Sequence, residues 1–178
     1  MTTTTGKQLA QGIRRRMEEL KEVCEGVDEG TACRAPVGRW SPKEILSHLL
    51  GPEEAPPLLS LQAFLDEDTP RLDIEAENSF LSEERFRTSF AHLLAAVEGE
   101  YDRISRFTED LTREQLDRTA RIPMLKDTPF GEYPTLETWI GLQGGRDESH
   151  LAFHINHMRE ILRDLGVPGK QTRKGDRS

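Results

Sequence analysis

The sequence predicts an all-α protein, a four-helix bundle with a long crossover between the second and third helices. Apolar residues recur at helical spacing in several long stretches, and no strand-like alternation is long enough to predict a sheet. A segment rich in proline and then in acidic residues separates the second stretch from the third, which indicates a lengthy connection. The charged fraction of 31% also favours long, surface-rich helices.

Length and charge narrow the class of protein further. The 178 residues suffice for one domain with a real core, so we assign residues 1–168 to a single bundle and 169–178 to a disordered C-terminal tail. The net charge of −8, without a basic cluster before the last ten residues, argues against a nucleic-acid partner. We also expect no membrane span, since no apolar run approaches about 20 residues. The N-terminus has no signal core, which predicts a cytoplasmic protein.

The first two helices have clear sequence signals. Residues 6–24 repeat apolar positions at helical spacing, which predicts an amphipathic helix. A second helix is predicted to begin at Ser41, because Ser41 and Glu44 form a capping box around Pro42. Trp40 and Ile45 fit a hydrophobic staple at the same helix start. This helix should stop or kink near Gly51, where prolines follow, and resume over residues 58–65.

The later part of the chain predicts the crossover and two further helices. Residues 66–80 are acidic and lack periodicity, which is typical of a long loop. A third helix should begin at Ser82, with Phe86 and Phe90 opening its apolar stripe. A short capped turn at residues 112–115 and a loop over 118–134 follow. The last helix is predicted to run without a break from about Thr135 to Leu165, with its glycines marking a kink or a close helix contact.

Three of the five histidines lie within eight residues of this last helix. At about 100° per residue, His150, His154 and His157 share one face with apolar residues and should point inward. A buried imidazole without a partner costs about 1–3 kcal/mol. Three together therefore favour a divalent metal ion with the histidines as its ligands. His48, on the inward face of the second helix, would usually be a hydrogen-bonded core residue. A facing helix with inward histidines favours a ligand role for it instead.

Two motifs make the chain resemble the DinB/YfiT-like family of metal-binding four-helix bundles. The first is W-S-x-x-E-x-x-x-H-L, found here at residues 40–49, with Glu53 in the usual following acidic position. The second is H-x-x-x-H-x-x-[QH]-[IM], found at residues 150–158. The resemblance covers most of the chain, from about residue 9 to residue 168. It departs from the family at Pro52, because the family usually continues its helix there.

The resemblance implies a metal site with three protein ligands. Carried over by motif, these are His48, His150 and His154, which would hold zinc or nickel with water or substrate completing the coordination. His157 takes a position often held by glutamine, which would place it beside the metal. It could also replace His150 as a ligand, since positions 154 and 157 are also neighbours on a helix.

The resemblance further implies an enzyme acting on a small molecule. We expect transfer of a low-molecular-weight thiol to an electrophile slightly ahead of metal-dependent hydrolysis. Neutral imidazoles leave the ion's full charge available to a bound thiolate or water, so the ligand set suits both reactions. Asp147 and Glu53 are the candidate acid/base helpers, although both could be solvated surface charges. The alternative is a non-catalytic, metal-stabilised bundle, in the form of a homodimer with a sensing or stress-response role. A structural zinc site would use four protein ligands rather than three.

Overall fold

The computed structural model describes residues 5–168. The predicted tail, 169–178, lies outside the described residues, and the domain boundary at 168 stays a prediction. The described helices, in chain order, are α1 (Gly6–Cys24), α2 (Glu29–Ala32), α3 (Pro42–Leu50), α4 (Pro57–Asp66), α5 (Glu83–Arg87), α6 (Phe90–Glu109), α7 (Arg113–Leu116), α8 (Leu136–Ile140) and α9 (His150–Asp164). The bridges found within residues 5–168 are isolated pairs rather than strands. The all-α prediction is confirmed.

The bundle is formed by α1, α6, α9 and the broken pair α3–α4. Helix α1 packs against α6 and α9, while α3 packs against the same two helices from the other side. One apolar core joins all four, and its fully buried members include Leu9, Ile13, Ile45, Leu49, Val97 and Ile161. None of the helices within residues 5–168 is long and apolar enough to cross a membrane.

Helix α3 begins and ends where the sequence predicts. The Ser41 hydroxyl accepts a hydrogen bond from the Glu44 backbone N–H at 3.2 Å, and the Glu44 carboxylate accepts one from the Ser41 N–H at 2.7 Å. Together these bonds satisfy two backbone donors that a helix start otherwise leaves free. At the other end Gly51 adopts φ +68°, a conformation that favours glycine, and the chain turns away before α4. The turns of α3 that carry His48 are therefore fixed at both ends.

The predicted crossover is confirmed, and it packs against a second loop. Residues 67–82 contain no helix, and they connect α4 to the third helix of the bundle. The Leu72 N–H donates to the Arg121 carbonyl at 2.9 Å, and the Arg121 N–H donates to the Pro70 carbonyl at 2.7 Å. These two bonds tie the crossover to the 118–134 loop. The two connections thus form one continuous wall beside the bundle.

The third helix differs from its prediction at the N-terminal end. A short helix, α5, ends at Arg87, and the main helix α6 starts afresh at Phe90. Ser89 caps this second start, since its hydroxyl accepts a hydrogen bond from the His92 N–H at 3.2 Å. Phe86 consequently does not belong to the core stripe, and half of its surface is exposed. The prediction of one helix from Ser82 is wrong.

The last helix is also broken, at the position of its glycines. Helix α8 passes into a π-helical turn over Gly141–Gly145, and residues 146–149 then leave the helical conformation. Helix α9 begins only at His150, with Ser149 as its N-cap. Asp147 therefore lies in this break and not one helical turn before His150. The continuous helix from Thr135 was a wrong prediction, although a kink or close contact at the glycines was anticipated.

The close contact at the π-helical turn involves Gly12 of α1. A Cβ atom added at Gly12 would overlap the carbonyl oxygen of Gly145. Backbone rather than a flexible side chain occupies this space. A side chain at position 12 would therefore push α1 away from the segment around Gly145. Glycine at position 12 is thus required for α1 to lie against the segment that precedes α9.

We predict that Gly12→Ala lowers the free energy of unfolding by about 1–3 kcal/mol, because overpacking outweighs the better helix propensity of alanine. The matched control is Gly99→Ala in α6, where the nearest atom to an added Cβ is a nitrogen of Arg103 at 3.7 Å. The free energy of unfolding of that variant should rise by roughly 0.5–1 kcal/mol. Urea unfolding followed by circular dichroism measures both. A Gly12→Ala protein as stable as the parent would contradict the close approach.

Candidate metal centre

The fold brings together the three histidines predicted as metal ligands. His48 comes from α3, and His150 and His154 come from successive turns of α9. Ring nitrogens of the three lie within 4.8 Å of one another. The Nε2 atoms of His48 and His150 are 2.8 Å apart, and the ring centroids of the three imidazoles are separated by 4.6 to 4.9 Å. The three histidines that the sequence predicts as ligands thus form a cluster in the structure.

The orientation of His48 is set by the crossover. Its Nδ1 atom lies 2.7 Å from the backbone carbonyl oxygen of Asn78. A carbonyl can only accept, so Nδ1–H is the donor and the lone pair of the neutral ring is at Nε2, facing His150. Such a hydrogen bond to the far nitrogen is the usual means by which proteins orient a metal-binding histidine.

Two aromatic side chains cover the cluster. The Phe80 ring is stacked on His48 at a centroid distance of 6.2 Å, and the Trp40 ring is stacked on His154 at 6.0 Å. Phe80 has φ +53°, which is rare for a bulky residue and costs about 1–3 kcal/mol. The surrounding contacts therefore hold this residue in place, and the rings limit the access of water to the imidazoles.

Arg85 holds the crossover against the end of α3. Its Nη1 atom donates to the carbonyl oxygens of Ser47 at 3.1 Å, Gly51 at 2.7 Å and Phe80 at 3.3 Å. Two of these carbonyls belong to the C-terminal end of the helix that carries His48. The third belongs to the strained residue that stacks on His48. One guanidinium therefore positions both the histidine and its cover.

Burial keeps the clustered imidazoles neutral. It lowers the pKa of His150 from its ordinary 6.5 to about 4, with a smaller contribution from the neighbouring His48. Burial lowers the pKa of His154 further, to about 2, and the three surrounding histidines add to this effect. The pKa of His48 is lowered as well, again mainly by burial. Neutral imidazole is the form that binds a metal ion.

The cluster fits a divalent ion by geometry and by donor chemistry. Bonds of about 2.0–2.1 Å in a tetrahedral arrangement place ligand nitrogens about 3.3 Å apart, between the 2.8 Å of the nearest pair and the 4.8 Å limit of the group. The lone pair on His48 Nε2 faces Nε2 of His150, as in two ligands of one ion. No carboxylate from the described residues joins the group, so an ion there would keep its full charge. Zinc and nickel both accept imidazole ligands.

A cavity opens beside the cluster. Its volume is about 540 Å³, and both His48 and His150 contribute to its lining. The wall opposite the bundle is formed by the crossover and by the 118–134 loop. Most of the lining is apolar, including Leu49, Leu72, Ile74, Leu125, Phe130 and Leu142. A small molecule in this space would lie against two of the three clustered imidazoles.

The two predicted acid/base helpers lie elsewhere, in ionic contacts. Glu53 accepts a hydrogen bond from the Ser82 hydroxyl at 2.7 Å and lies 3.7 Å from Arg85. Asp147 is paired with Arg15 and Arg16, each at 2.7 Å, and its side chain is 77% exposed. Neither carboxylate is part of the cavity lining. Their acid/base roles stay predictions.

His157 lies at the edge of the cluster. Its ring centroid is 5.7 Å from that of His154 and 6.2 Å from that of Trp40. It does not belong to the group of ligand atoms formed by the other three histidines. That it sits beside a bound metal rather than on it stays a prediction, which the variants below address.

Sequence reasoning missed several residues that shape the site. Trp40 was assigned only to the helix start, although its ring also covers His154. Asn78 and Phe80 belong to a loop without periodicity, where no local pattern shows which carbonyl or ring meets His48. The one available signal was their position in a long crossover, since such loops are often functional.

A solved structure shares this fold. It is YfiT from Bacillus subtilis, described as a probable metal-dependent hydrolase with an unusual four-helix bundle topology. The two chains align with a TM-score of 0.74 at 20% sequence identity, over 94% of this chain and 91% of that chain. The sequence matches no protein-family model and no curated protein. The expected resemblance is therefore confirmed at the level of the fold, with a histidine cluster that could hold a divalent metal.

We predict that the protein binds about one zinc or nickel ion per chain and that His48→Ala or His154→Ala weakens this binding at least tenfold, because two ligands hold an ion less well than three. Isothermal titration together with elemental analysis measures it. His92→Ala is the matched control, since His92 is exposed and pairs with Ser89 on α6. Unchanged affinity in both cluster variants would contradict the prediction.

The same titration separates the two α9 alternatives. His157→Gln should retain the metal, whereas His150→Gln should lose most of it. The reverse result would mean that His154 and His157 are the ligand pair.

Proposed function

We propose that the protein is a metal-dependent hydrolase that acts on a small, uncharged molecule. The observation that carries the proposal is a cluster of three neutral, converging imidazoles, two of which, His48 and His150, line a mostly apolar cavity. A site with three protein ligands leaves a position for water or substrate, as catalytic zinc sites do. The description of YfiT, which has the same fold, supports hydrolysis as the reaction.

The residues of this chain would have distinct tasks in such a reaction. His48, His150 and His154 would hold the ion, which supplies Lewis acidity and lowers the pKa of a nucleophile beside it. Asn78 orients His48 through its carbonyl oxygen. Phe80 and Trp40 shield the imidazoles from solvent. The apolar walls hold the substrate and exclude bulk water, which strengthens electrostatic interactions inside the cavity.

Transfer of a low-molecular-weight thiol is the second candidate reaction. The cavity volume of about 540 Å³ is well above the lower end of the range for ligand sites, roughly 300 Å³, so it has room for a small electrophile and a thiol together. The same neutral ligand set that favours hydroxide also favours a thiolate. The metal ligands alone do not distinguish the two reactions. The reactions differ in the nucleophile, which is water in hydrolysis and a thiol in the transfer.

A non-catalytic bundle with a stress-response role is the rival account, and it requires a closed site with four protein ligands. The opening of the cavity toward His48 and His150 favours the enzyme. Homodimer formation and a cytoplasmic location stay predictions.

We predict metal-dependent turnover of two uncharged electrophiles, the ester p-nitrophenyl hexanoate and the epoxide styrene oxide. Zinc- or nickel-loaded protein is incubated with each, with and without 2-mercaptoethanol, and chromatography quantifies hydrolysed product and thiol adduct. Hydrolysis without thiol supports the proposal, whereas product that requires the thiol supports transfer instead. His48→Ala should lower the rate by about 100-fold or more, and His92→Ala should leave it unchanged. Rates in the loaded protein no higher than in His48→Ala would favour the non-catalytic bundle.

A further inference from the structure

The charged side chains of the cavity lining are confined to one segment. They are Arg71, Asp73 and Glu75, which lie close together on the exposed crossover, whereas the lining histidines are neutral. The Arg71 guanidinium pairs with the Asp73 carboxylate at 3.0 Å, so its charge is already compensated. The remaining lining from the described helices carries no formal charge. A ligand that fills this cavity is therefore expected to be uncharged over most of its surface.

Most buried polar groups of the inner wall satisfy one another. The Ser60 hydroxyl donates to the Pro57 carbonyl oxygen at 2.7 Å and accepts from the Trp139 indole N–H at 3.3 Å. These groups need nothing from a ligand. They give the cavity a wall that is apolar in effect, although it contains polar side chains.

Outside the histidine cluster, the Tyr101 hydroxyl is the exception among the described lining residues. Tyr101 lies on α6 and lines the cavity, its side chain is 1% exposed, and its hydroxyl has no hydrogen-bond partner. The neighbouring Glu100 does not supply one: its carboxylate accepts from the Leu58 N–H at 2.9 Å and from Arg103 at 2.7 Å. A buried, unpaired hydroxyl costs about 1–3 kcal/mol. A phenylalanine would fill the same space without this cost.

We propose that the cavity binds an uncharged, mostly apolar molecule with an acceptor oxygen, such as a carbonyl, and that the Tyr101 hydroxyl donates a hydrogen bond to that oxygen. This inference rests on the proposed function in one respect only, namely that the molecule is the substrate of the histidine site. Tyr101 is a specificity-determining residue in this account. It selects among apolar molecules by the presence of one oxygen.

The chemistry of the tyrosine supports the role of donor. Burial raises the pKa of Tyr101 well above its ordinary value of 10.0, so the hydroxyl keeps its proton at neutral pH. A group that recognises its partner through a buried hydrogen bond discriminates strongly against analogues that lack the partner atom, because the group is then left unpaired. The cavity volume of about 540 Å³ also lies within the range of sites for drug-sized ligands.

The test uses prodan, an uncharged naphthalene ketone whose fluorescence moves to longer wavelength when its carbonyl accepts a hydrogen bond. The whole chain is titrated with prodan, first without metal and then loaded with zinc. We expect saturable binding that Tyr101→Phe weakens about threefold to tenfold, the loss of one hydrogen bond, together with a shift of the bound emission to shorter wavelength. Tyr133→Phe is the matched control, because Tyr133 is exposed and does not line the cavity.

A thermal unfolding scan separates recognition from a structural role. Since its hydroxyl is unpaired, Tyr101→Phe should keep or raise the midpoint of the ligand-free protein. A lowered midpoint would show that the hydroxyl serves the fold, and it would contradict the proposal. No saturable binding to the parent protein, or equal affinity and emission in Tyr101→Phe, would also contradict it.

The outcome is independent of the proposed function. If prodan binding depends on Tyr101 while no electrophile is turned over, the recognition site stands and the hydrolase proposal fails. If metal-dependent hydrolysis occurs while Tyr101→Phe binds prodan as the parent does, the hydrolase stands and this inference fails.

Discussion

The structure depends on the contact between α3 and α9, which places three imidazoles in one buried cluster. A buried imidazole that lacks a hydrogen-bond partner is unfavourable, and the Nδ1 atoms of His150 and His154 have none. A hydrophobic replacement would pack at lower cost. The three neutral rings instead offer nitrogens within 4.8 Å of one another, which could hold one divalent ion together.

The crossover turns this cluster into a site. Its Asn78 carbonyl orients His48, its Phe80 ring covers the same imidazole, and its residues 71–76 form one wall of the cavity. Arg85 holds the crossover against the end of α3. Without this connection, His48 would lose both its hydrogen-bond partner and the ring stacked on it. The length of the connection therefore has a physical purpose, because it supplies orientation, cover and a binding surface at once.

Local signals in the sequence predicted the parts of the fold that local interactions determine. The capping box of Ser41 and Glu44, the stop at Gly51 and the inward face of α9 all depend on residues within a turn or two of each other. The break at residues 146–149 was missed although Ser149 is a good N-cap. The break lies against α1, which is distant in the sequence: Arg15 and Arg16 pair with Asp147, and Gly12 lies against the Gly145 backbone.

In the candidate site, too, local patterns predicted some residues, and contacts between distant segments determined the others. Helical spacing brought His150 and His154 together, and the facing helix supplied His48. The roles of Asn78, Phe80 and Tyr101 could not be predicted, since each depends on a contact between segments that are distant in the sequence. Tyr101 is typical, because its position on the apolar stripe of α6 predicts a core residue, and only the three-dimensional surroundings leave its hydroxyl unpaired.

X-ray absorption spectroscopy of the zinc-loaded protein tests the central claim most directly, because it counts the imidazoles bound to the ion. We predict three histidine ligands at about 2.0 Å and at least one further light ligand that is not histidine. Four histidines, with His157 completing a closed site, or any sulfur ligand would contradict this account.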